Sequence, residues 1–270
     1  MTPPTVAIVI PARYQSSRYP GKPLASVTGF TGISKPLIQR SYEAALTVHG
    51  AASVHIATDS EEIRAVAEGF GADVILTSSS CENGTARCAA AISQRPDIDA
   101  DIIVNWQGDA LLTPSYFIEA LIAHLRRAPN AMVATPAIRC GREHYAKLVA
   151  EDRAGRVGGT SVVFGERGQA LYFSKRLIPY LSAEKQAEAF PFAFLHIGVY
   201  AYRREALLRY NNLAISAIEE LEGLEQLRFL HHQIPVDVVE VQAPDWEIWE
   251  LNNPSDLAPI ENALKIMGAE

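Results

Sequence analysis

The sequence predicts an α/β fold: a doubly wound, mostly parallel sheet with a small mixed subregion attached. Three observations carry this expectation. Runs at residues 6–10, 54–58, 73–76 and 102–105 are short, β-branched and largely apolar, which suits strands covered on both faces. Between them lie stretches whose apolar residues recur at helical spacing, so strand and helix alternate and successive strands run parallel through right-handed crossovers. Finally, 270 residues at 48% hydrophobic composition can bury one substantial core, and no linker divides them, so residues 1–270 are read as a single domain.

Residues 6–10 make the first strand, which Pro11 is expected to end. The loop leaving its carboxyl end carries Arg13, Arg18 and Lys22, with Ser16, Ser17 and Gly21 adding hydroxyls, free amides and room for close approach. On an arbitrary loop such charges are merely solvated. Here the loop lies beyond the carboxyl end of a strand, where open α/β sheets bind their ligands. Arginine, lysine and backbone amides together can neutralise and cradle a triphosphate, so a nucleotide is the expected guest.

Residues 27–34 read as a Gly- and Thr-rich loop, after which Ser34 is the expected cap and Pro36 the first-turn residue of a helix. Its Leu37, Ile38, Ser41, Ala44, Ala45 and Val48 share one face. Asp59 or Ser60 can cap the helix at 61–70. The polar loop 77–85 opens a helix containing Arg87; on this reading alone Thr85 serves equally as a cap and Arg87 as a surface charge. Past the fourth strand, Gly108 permits a tight turn that presents Asp109. A carboxylate there can hold Mg²⁺ against phosphate oxygens, because that hard cation binds through one or two carboxylates plus substrate. The competing use is to satisfy turn amides.

Pro114 begins a helix to Arg127 with Phe117, Ile118, Leu121, Ile122 and Leu125 inward, and a strand follows at 131–135. From about 137 to 200 the short strand-like runs 161–164 and 170–173, with turns at Gly155, Gly158, Gly159, Gly165 and Gly168, mark an excursion from the sheet. In a strand, His196 and Tyr200 would share a face. Residues 216–231 read as one helix striped by Ile218, Leu221, Leu224, Leu227 and Leu230, on which Glu219, Glu220, Glu222 and Glu225 equally suit a solvated face. Residues 235–241 form a further strand, and Pro254 opens the terminal helix.

A formal charge of −7 disfavours a broad basic face for nucleic acid but leaves room for a small anion held by local cations. Cys81, Cys88 and Cys140 are odd in number and lack a CxxC pair, which points away from a disulfide framework or thiolate metal site and toward a reduced cytoplasm. The amino-terminal apolar run lacks a basic flank and is far shorter than a membrane span, so neither secretion nor membrane insertion is expected.

The loop Ile10-Pro-Ala-Arg-Tyr-Gln-Ser-Ser-Arg-Tyr-Pro-Gly-Lys-Pro-Leu24 resembles the signature loop of the 3-deoxy-manno-octulosonate cytidylyltransferases. The resemblance continues, in order, at Ala57-Thr-Asp59, Asn83-Gly-Thr-Ala-Arg87, Asn105-Trp-Gln-Gly-Asp109, Ala170-Leu-Tyr-Phe-Ser-Lys175, His196-Ile-Gly-Val-Tyr200 and Leu224-Glu-Gln-Leu-Arg228. It implies a nucleotide-diphospho-sugar transferase-like fold and transfer of CMP from CTP to the anomeric hydroxyl of a 3-deoxy-2-ulosonic acid, with release of pyrophosphate. It further implies Mg²⁺ as cofactor, a homodimer formed through the 137–200 region, and a cytoplasmic enzyme supplying lipopolysaccharide or capsule precursors. Pro11, Ala12, Arg13, Ser16, Lys22, Gly84, Thr85 and Arg87 would bind the nucleotide. Arg13, Lys22 and Asp109 would be catalytic; Gln107, Lys175, His196, Tyr200, Glu225 and Gln226 would bind the sugar; Asp109 and Asn252 would hold the metal.

The chain departs from the family pattern at informative places. Ala86 replaces an acid, Ala110-Leu111 stand where Glu-Pro is usual, and Lys175 replaces an arginine, keeping the charge but losing the bidentate fork. Asn252 stands where the family has its second metal-binding acid; its carbonyl brings no charge, so Glu250, Asp245 or Glu247 would have to compensate. The resemblance gives no account of Asp245-Trp-Glu-Ile-Trp249. Two alternatives therefore stay open, namely the same chemistry on a modified acid sugar and a nucleotide-binding homologue with impaired catalysis. A glycosyltransferase would need an Asp-x-Asp motif beyond a strand, and none follows the predicted strands.

Overall fold

Val6–Ala12 (β1) is buried along its whole length, and the rest of the main sheet is laid beside it. Val6, Ile8, Ile10 and Ala12 face one core and Ala7 and Val9 the other, as the two-residue period of a strand requires. In the computed structural model, which describes residues 3–15, 18–182, 184 and 193–269, Ser16 lies outside the described residues.

From β1 the chain forms a ribbon of Ser26–Thr28 (β2) and Ser34–Pro36 (β3), then Leu37–Leu46 (α1), Ser53–Thr58 (β4), Glu61–Gly69 (α2), Asp73–Leu76 (β5), Gly84–Gln94 (α3) and Ile102–Asn105 (β6). Ser115–Arg127 (α4), Val133–Arg139 (β7), Arg142–Arg153 (α5), Thr160–Phe164 (β8), Ala170–Ser174 (β9), Phe194–His196 (β10) and Tyr200–Arg203 (β11) follow. Arg204–Tyr210 (α6), Ala217–Glu222 (α7), Leu227–His231 (α8), Val236–Val241 (β12) and Leu257–Met267 (α9) complete the order, with 3-10 turns at Lys22–Leu24 and Pro254–Asp256.

The main sheet runs β5-β4-β1-β6-β11-β7-β10-β8-β9, with β12 beside β7. Its first four strands are parallel, as expected. The chain moves outward from β1 through β4 to β5 and then returns to place β6 on the other side of β1. The order reverses between β1 and β6, so the loops at their carboxyl ends diverge and leave a crevice.

Several expectations are corrected in detail. β1 continues through Pro11 to Ala12, because β4 still pairs there while pairing to β6 has ended at Val9, so the missing amide of Pro11 faces no β6 partner. Ser34 and Pro36 pair with β2, which delays α1 until Leu37. Of the two candidate caps of α2, Ser60 accepts from the Ile63 amide at 3.3 Å. The strand expected at 131–135 runs instead from 133 to 139, where β12 pairs along it. β10 pairs antiparallel with β7, and β8 and then β9 add beyond it, each antiparallel to its neighbour, so this region extends the main sheet rather than leaving it. The helix expected at 216–231 breaks at Gly223, whose left-handed φ of 60° caps α7.

His196 and Tyr200 end up on separate strands, β10 and β11, which meet β7 at different places. The break between them is organised by Thr135, fully buried in β7. Its hydroxyl lies 2.8 Å from the Val199 carbonyl, 3.3 Å from that of Ile197 and 2.9 Å from His196 Nε2. A buried hydroxyl thus substitutes for ladder bonds where the antiparallel strand is interrupted.

Among the described residues no helix is long and apolar enough to cross a membrane, and the three cysteines are free thiols. Asn83 caps α3 by accepting from the Ala86 amide at 2.8 Å, while its own amide donates to the Tyr210 hydroxyl at 2.9 Å. Asn83→Ala removes both bonds and is expected to lower stability by about 1–2 kcal/mol, read from urea midpoints; an unchanged midpoint would contradict this role.

Candidate active site

The crevice between β1 and β6 widens into a cleft of ≈ 1330 Å³. One drug-sized ligand fills roughly 300–1,000 Å³, so this volume suits a nucleotide together with a second substrate. The structure brings Pro11, Ala12, Arg13, Lys22, Gly84, Arg87, Gln107, Asp109, Lys175, His196, Tyr200, Glu225, Gln226 and Asn252 to its walls. Thr85 is set behind the wall: its hydroxyl meets that of Tyr202 at 2.7 Å and its amide donates to Glu225 Oε2 at 3.1 Å.

At the β1 end the loop closes on itself through a 2.9 Å bond from the Gly21 amide to the Tyr14 carbonyl, which Gly21 permits with a φ of 69°. Lys22, next in the chain, forms an ion pair with Asp109 of the β6 turn. That turn presses on β1 so closely that a Cβ on Gly108 would lie 2.8 Å from the Pro11 carbonyl oxygen. Ser41 of α1 donates to the Gly108 carbonyl at 2.8 Å and fixes the turn from behind. Gly84 likewise leaves space for Gln107, whose Nε2 would lie 2.8 Å from a Cβ there. Arg13 is exposed at the rim.

Arg87 is 3% exposed, and its guanidinium donates to Thr77 Oγ1 at 2.7 Å and to Asp59 Oδ2 at 3.0 Å. It brings positive charge to the cleft floor with its fork already engaged. Asp59 also accepts from the Tyr14 amide at 3.3 Å, so it ties the cationic loop to α3 through Arg87. Sequence reasoning gave Asp59 only a capping role; the signal for more was its place just past the carboxyl end of β4.

The far end of the cleft holds His196, Tyr200, Glu225, Gln226 and Lys175. Burial lowers the His196 imidazole to about 3, so the ring is neutral, held by Thr135 and packed against Phe173 and Tyr200 at ring separations of 5.0 and 5.5 Å. Burial likewise raises the carboxyl of Glu225 above its usual range, opposed by the bond from the Thr85 amide. Gln226 is 2% exposed, and its Nε2 has no partner among the described residues, leaving a donor for a ligand. Lys175 lies over the end of α7, where a Cβ on Gly223 would come 2.8 Å from its Nζ. A cation there complements the carbonyl end of the helix. Arg228 lies behind Gln226, stacked on the Tyr210 ring at 4.4 Å and paired with Glu219 at 2.6 Å and Glu82 at 2.8 Å.

Residues 245–252 cross the cleft beside Asp109. The Trp246 indole donates to the Leu112 carbonyl at 3.1 Å, and Trp246, Trp249, Leu111, Leu112 and Leu251 share one apolar cluster. The unusual Ala110-Leu111 and the Trp-rich segment therefore belong together: Leu111 and Leu112 form the surface on which the tryptophans pack. Lys147 of α5 pairs with Glu247 and sits 5.6 Å from the Trp249 ring. Of the acids that could compensate for Asn252, Asp245 does not line the cleft, Glu247 is taken by Lys147, and Glu250 faces inward. Glu250 is reached by solvent through the cleft yet surrounded by protein; that desolvation and the Asp109 carboxylate push its pKa to about 7, against the pull of Lys22, Asn252 and Arg18.

Among the described residues no cluster of three His, Cys, Asp or Glu side chains is placed to cage a metal. Two carboxylates that face the cleft beside Lys22, Asp109 and Glu250, are a set that fits a hard cation sharing phosphate oxygens with its substrate.

The family model for cytidylyltransferases matches residues 7–238. The chain belongs to the cytidylyltransferase family. Among curated relatives of this cytidylyltransferase, the 3-deoxy-manno-octulosonate cytidylyltransferase of Maricaulis maris is 38% identical over 264 residues, covering 98% of both chains. The 8-amino-3,8-dideoxy-manno-octulosonate cytidylyltransferase of Shewanella amazonensis is 36% identical, covering 97% of this chain and 99% of the other. The solved structure of CMP:2-keto-3-deoxy-manno-octonic acid synthetase complexed with CTP superposes with a TM-score of 0.80 at 35% identity, covering 98% of each chain. The 4-diphosphocytidyl-2C-methyl-D-erythritol synthase of Anaerococcus prevotii, at 9% identity and a TM-score of 0.58 over 97% of this chain and 96% of that one, shares the fold alone.

The neutral His196 makes stability depend on pH. Its value falls from 6.5 to about 3 on folding, so between these values the unfolded chain binds more protons. The contribution is complete above about pH 6.5 and drains as pH falls toward 3. On going from pH 7 to 5 the native protein is expected to lose on the order of 2 kcal/mol more stability than His196→Gln, measured by urea unfolding at each pH. Equal losses would contradict a buried neutral ring.

Proposed function

We propose that this cytidylyltransferase transfers CMP from CTP to the anomeric hydroxyl of a 3-deoxy-2-ulosonic acid, 3-deoxy-manno-octulosonate or its 8-amino analogue, and releases pyrophosphate. The observation that carries this is the pairing of Lys22 with Asp109 across the crevice, in a chain whose relative binds CTP in the same fold. The second acceptor stays in view because relatives of both names match this chain at nearly equal identity.

The anomeric oxygen attacks the α-phosphorus in line as the bond to the pyrophosphate oxygen breaks; the hydroxyl proton leaves and the pyrophosphate carries the displaced electron pair. Little covalent chemistry falls to the protein, so positioning and charge stabilisation supply most of the rate. Arg13 and Lys22 offset negative charge on the phosphoryl oxygens. Gln107, Gln226, neutral His196 and Tyr200 orient the acceptor, and Lys175 offers a point charge to its carboxylate. Asp109 would hold Mg²⁺, which when bound neutralises phosphate charge and makes the attacking hydroxyl more acidic.

We also infer a homodimer formed through the region at 137–200, supported by the large apolar side chains Leu171 and Tyr180, 68% and 88% exposed there. Three free thiols support a cytoplasmic location, and the acceptor class supports a place in lipopolysaccharide or capsule precursor supply.

Lys22→Ala and Asp109→Ala are each expected to lower pyrophosphate release from CTP plus 3-deoxy-manno-octulosonate by at least about 10²- to 10³-fold, with unchanged circular dichroism. Undiminished release would remove the residue from the mechanism. CTP binding by the native enzyme without turnover on either acid would make the chain a nucleotide-binding homologue instead.

A further inference from the structure

Asn252 is already engaged at the site: its Oδ1 accepts from Arg18 Nη2 at 2.8 Å, and its side chain lies beside the Glu250 carboxylate and favours its charged form. The oxygen that would have to face a cation is turned to a guanidinium. Lys22 is paired with Asp109 and Arg18 with Asn252, so among the described residues neither cation is hydrogen-bonded to Glu250, although both stand close enough to favour its charge. Most of its lone pairs remain for a ligand.

Glu250 is also built into place. Buried Leu251 follows it, Trp249 and Trp246 anchor the chain before it, and the Trp246 bond to Leu112 pins that segment to the turn after Asp109. Across from it the chain offers no side chain at Gly198, where a Cβ would lie 3.7 Å from Glu250 Oε1. Its electrostatic neighbours are Asp109, Lys22 and Arg18, so two carboxylates and two cations line the cleft together.

We propose that Glu250 is the second carboxylate for the divalent cation of CTP, with Asn252 as a positioning residue that holds Glu250 and Arg18 in register. The assignment rests on the function proposed above. Glutamate reaches from two residues earlier in the chain with one more methylene than aspartate, which delivers the charge that Asn252 lacks. Hard oxygen donors and a shared phosphate ligand suit Mg²⁺, and Mn²⁺ is its spectroscopic substitute.

The test is electron paramagnetic resonance titration of free Mn²⁺ against the full-length enzyme with CTP present, comparing native protein, Glu250→Gln and the double variant Glu250→Gln/Asn252→Asp. Glu250→Gln is expected to weaken CTP-dependent Mn²⁺ binding at least about tenfold, the size that even an outer-shell partner commands. The double variant, which returns an acid to the neighbouring position, is expected to restore most of it. Native-like Mn²⁺ affinity in Glu250→Gln would overturn the proposal. So would a loss that Asn252→Asp does not restore, since that would mark Glu250 as a support for the segment rather than a ligand. Failure of the native enzyme itself to bind Mn²⁺ with CTP would refute the functional reading on which the assignment stands.

Discussion

The Lys22–Asp109 ion pair is the contact around which the site is arranged. It joins the loop after β1 to the turn after β6 across the point where strand order reverses, and the two loops reach one another only because Gly108 lacks a Cβ against the Pro11 carbonyl. Each partner is half-buried, so the pair is stronger than a solvated surface bridge and more exchangeable than a dry one. An anionic nucleotide with its cation offers each partner a counter-charge of the right sign. In the proposed function, substrate binding would be an exchange of ion pairs, which would offset much of the cost of desolvating charge.

The remaining charges behind the cleft are spent on rigidity. Arg87 with Asp59 and Thr77, Arg228 with Glu219 and Glu82, and Thr85 with Glu225 and Tyr202 satisfy one another around the cleft floor. Removing one member would leave a buried polar group unpaired, which costs far more than the net worth of the pair. In a reaction that depends on aligning a hydroxyl with an α-phosphate, such a fixed wall is a catalytic asset, because small misplacements cost rate. At the other end of the cleft burial keeps His196 neutral and Thr135 holds it in place.

The parallel half of the fold was legible because its signals are local: β1 and β6 are apolar runs buried along their length, β4 and β5 are β-branched runs beside them, and the loops after these strands carry the chemistry. The antiparallel half was harder. That β10 and β11 are separate strands depends on Thr135, more than sixty residues away in the chain, and that β8, β9 and β10 join the sheet depends on β10 pairing with β7; neither contact leaves a periodic trace. Gly223 in the middle of 216–231 was a visible break whose weight the apolar stripe concealed. At the site, the residue types were readable but not their partners. Arg87 read equally well as a surface charge, whereas it is buried and held by Asp59, and the residues alone gave no sign that the Asn252 oxygen accepts from Arg18. The tryptophans at 246 and 249 made sense only beside Leu111 and Leu112.

The most direct test of the central claim is a crystal structure of the enzyme with CTP and Mn²⁺, using the anomalous signal to locate the metal. The account predicts a triphosphate along the Arg13–Lys22 loop, a manganese peak between it and Asp109, and Lys22 moved from Asp109 onto phosphate oxygens. A nucleotide seated elsewhere, or a Lys22–Asp109 pair that stays intact beside bound CTP, would contradict it.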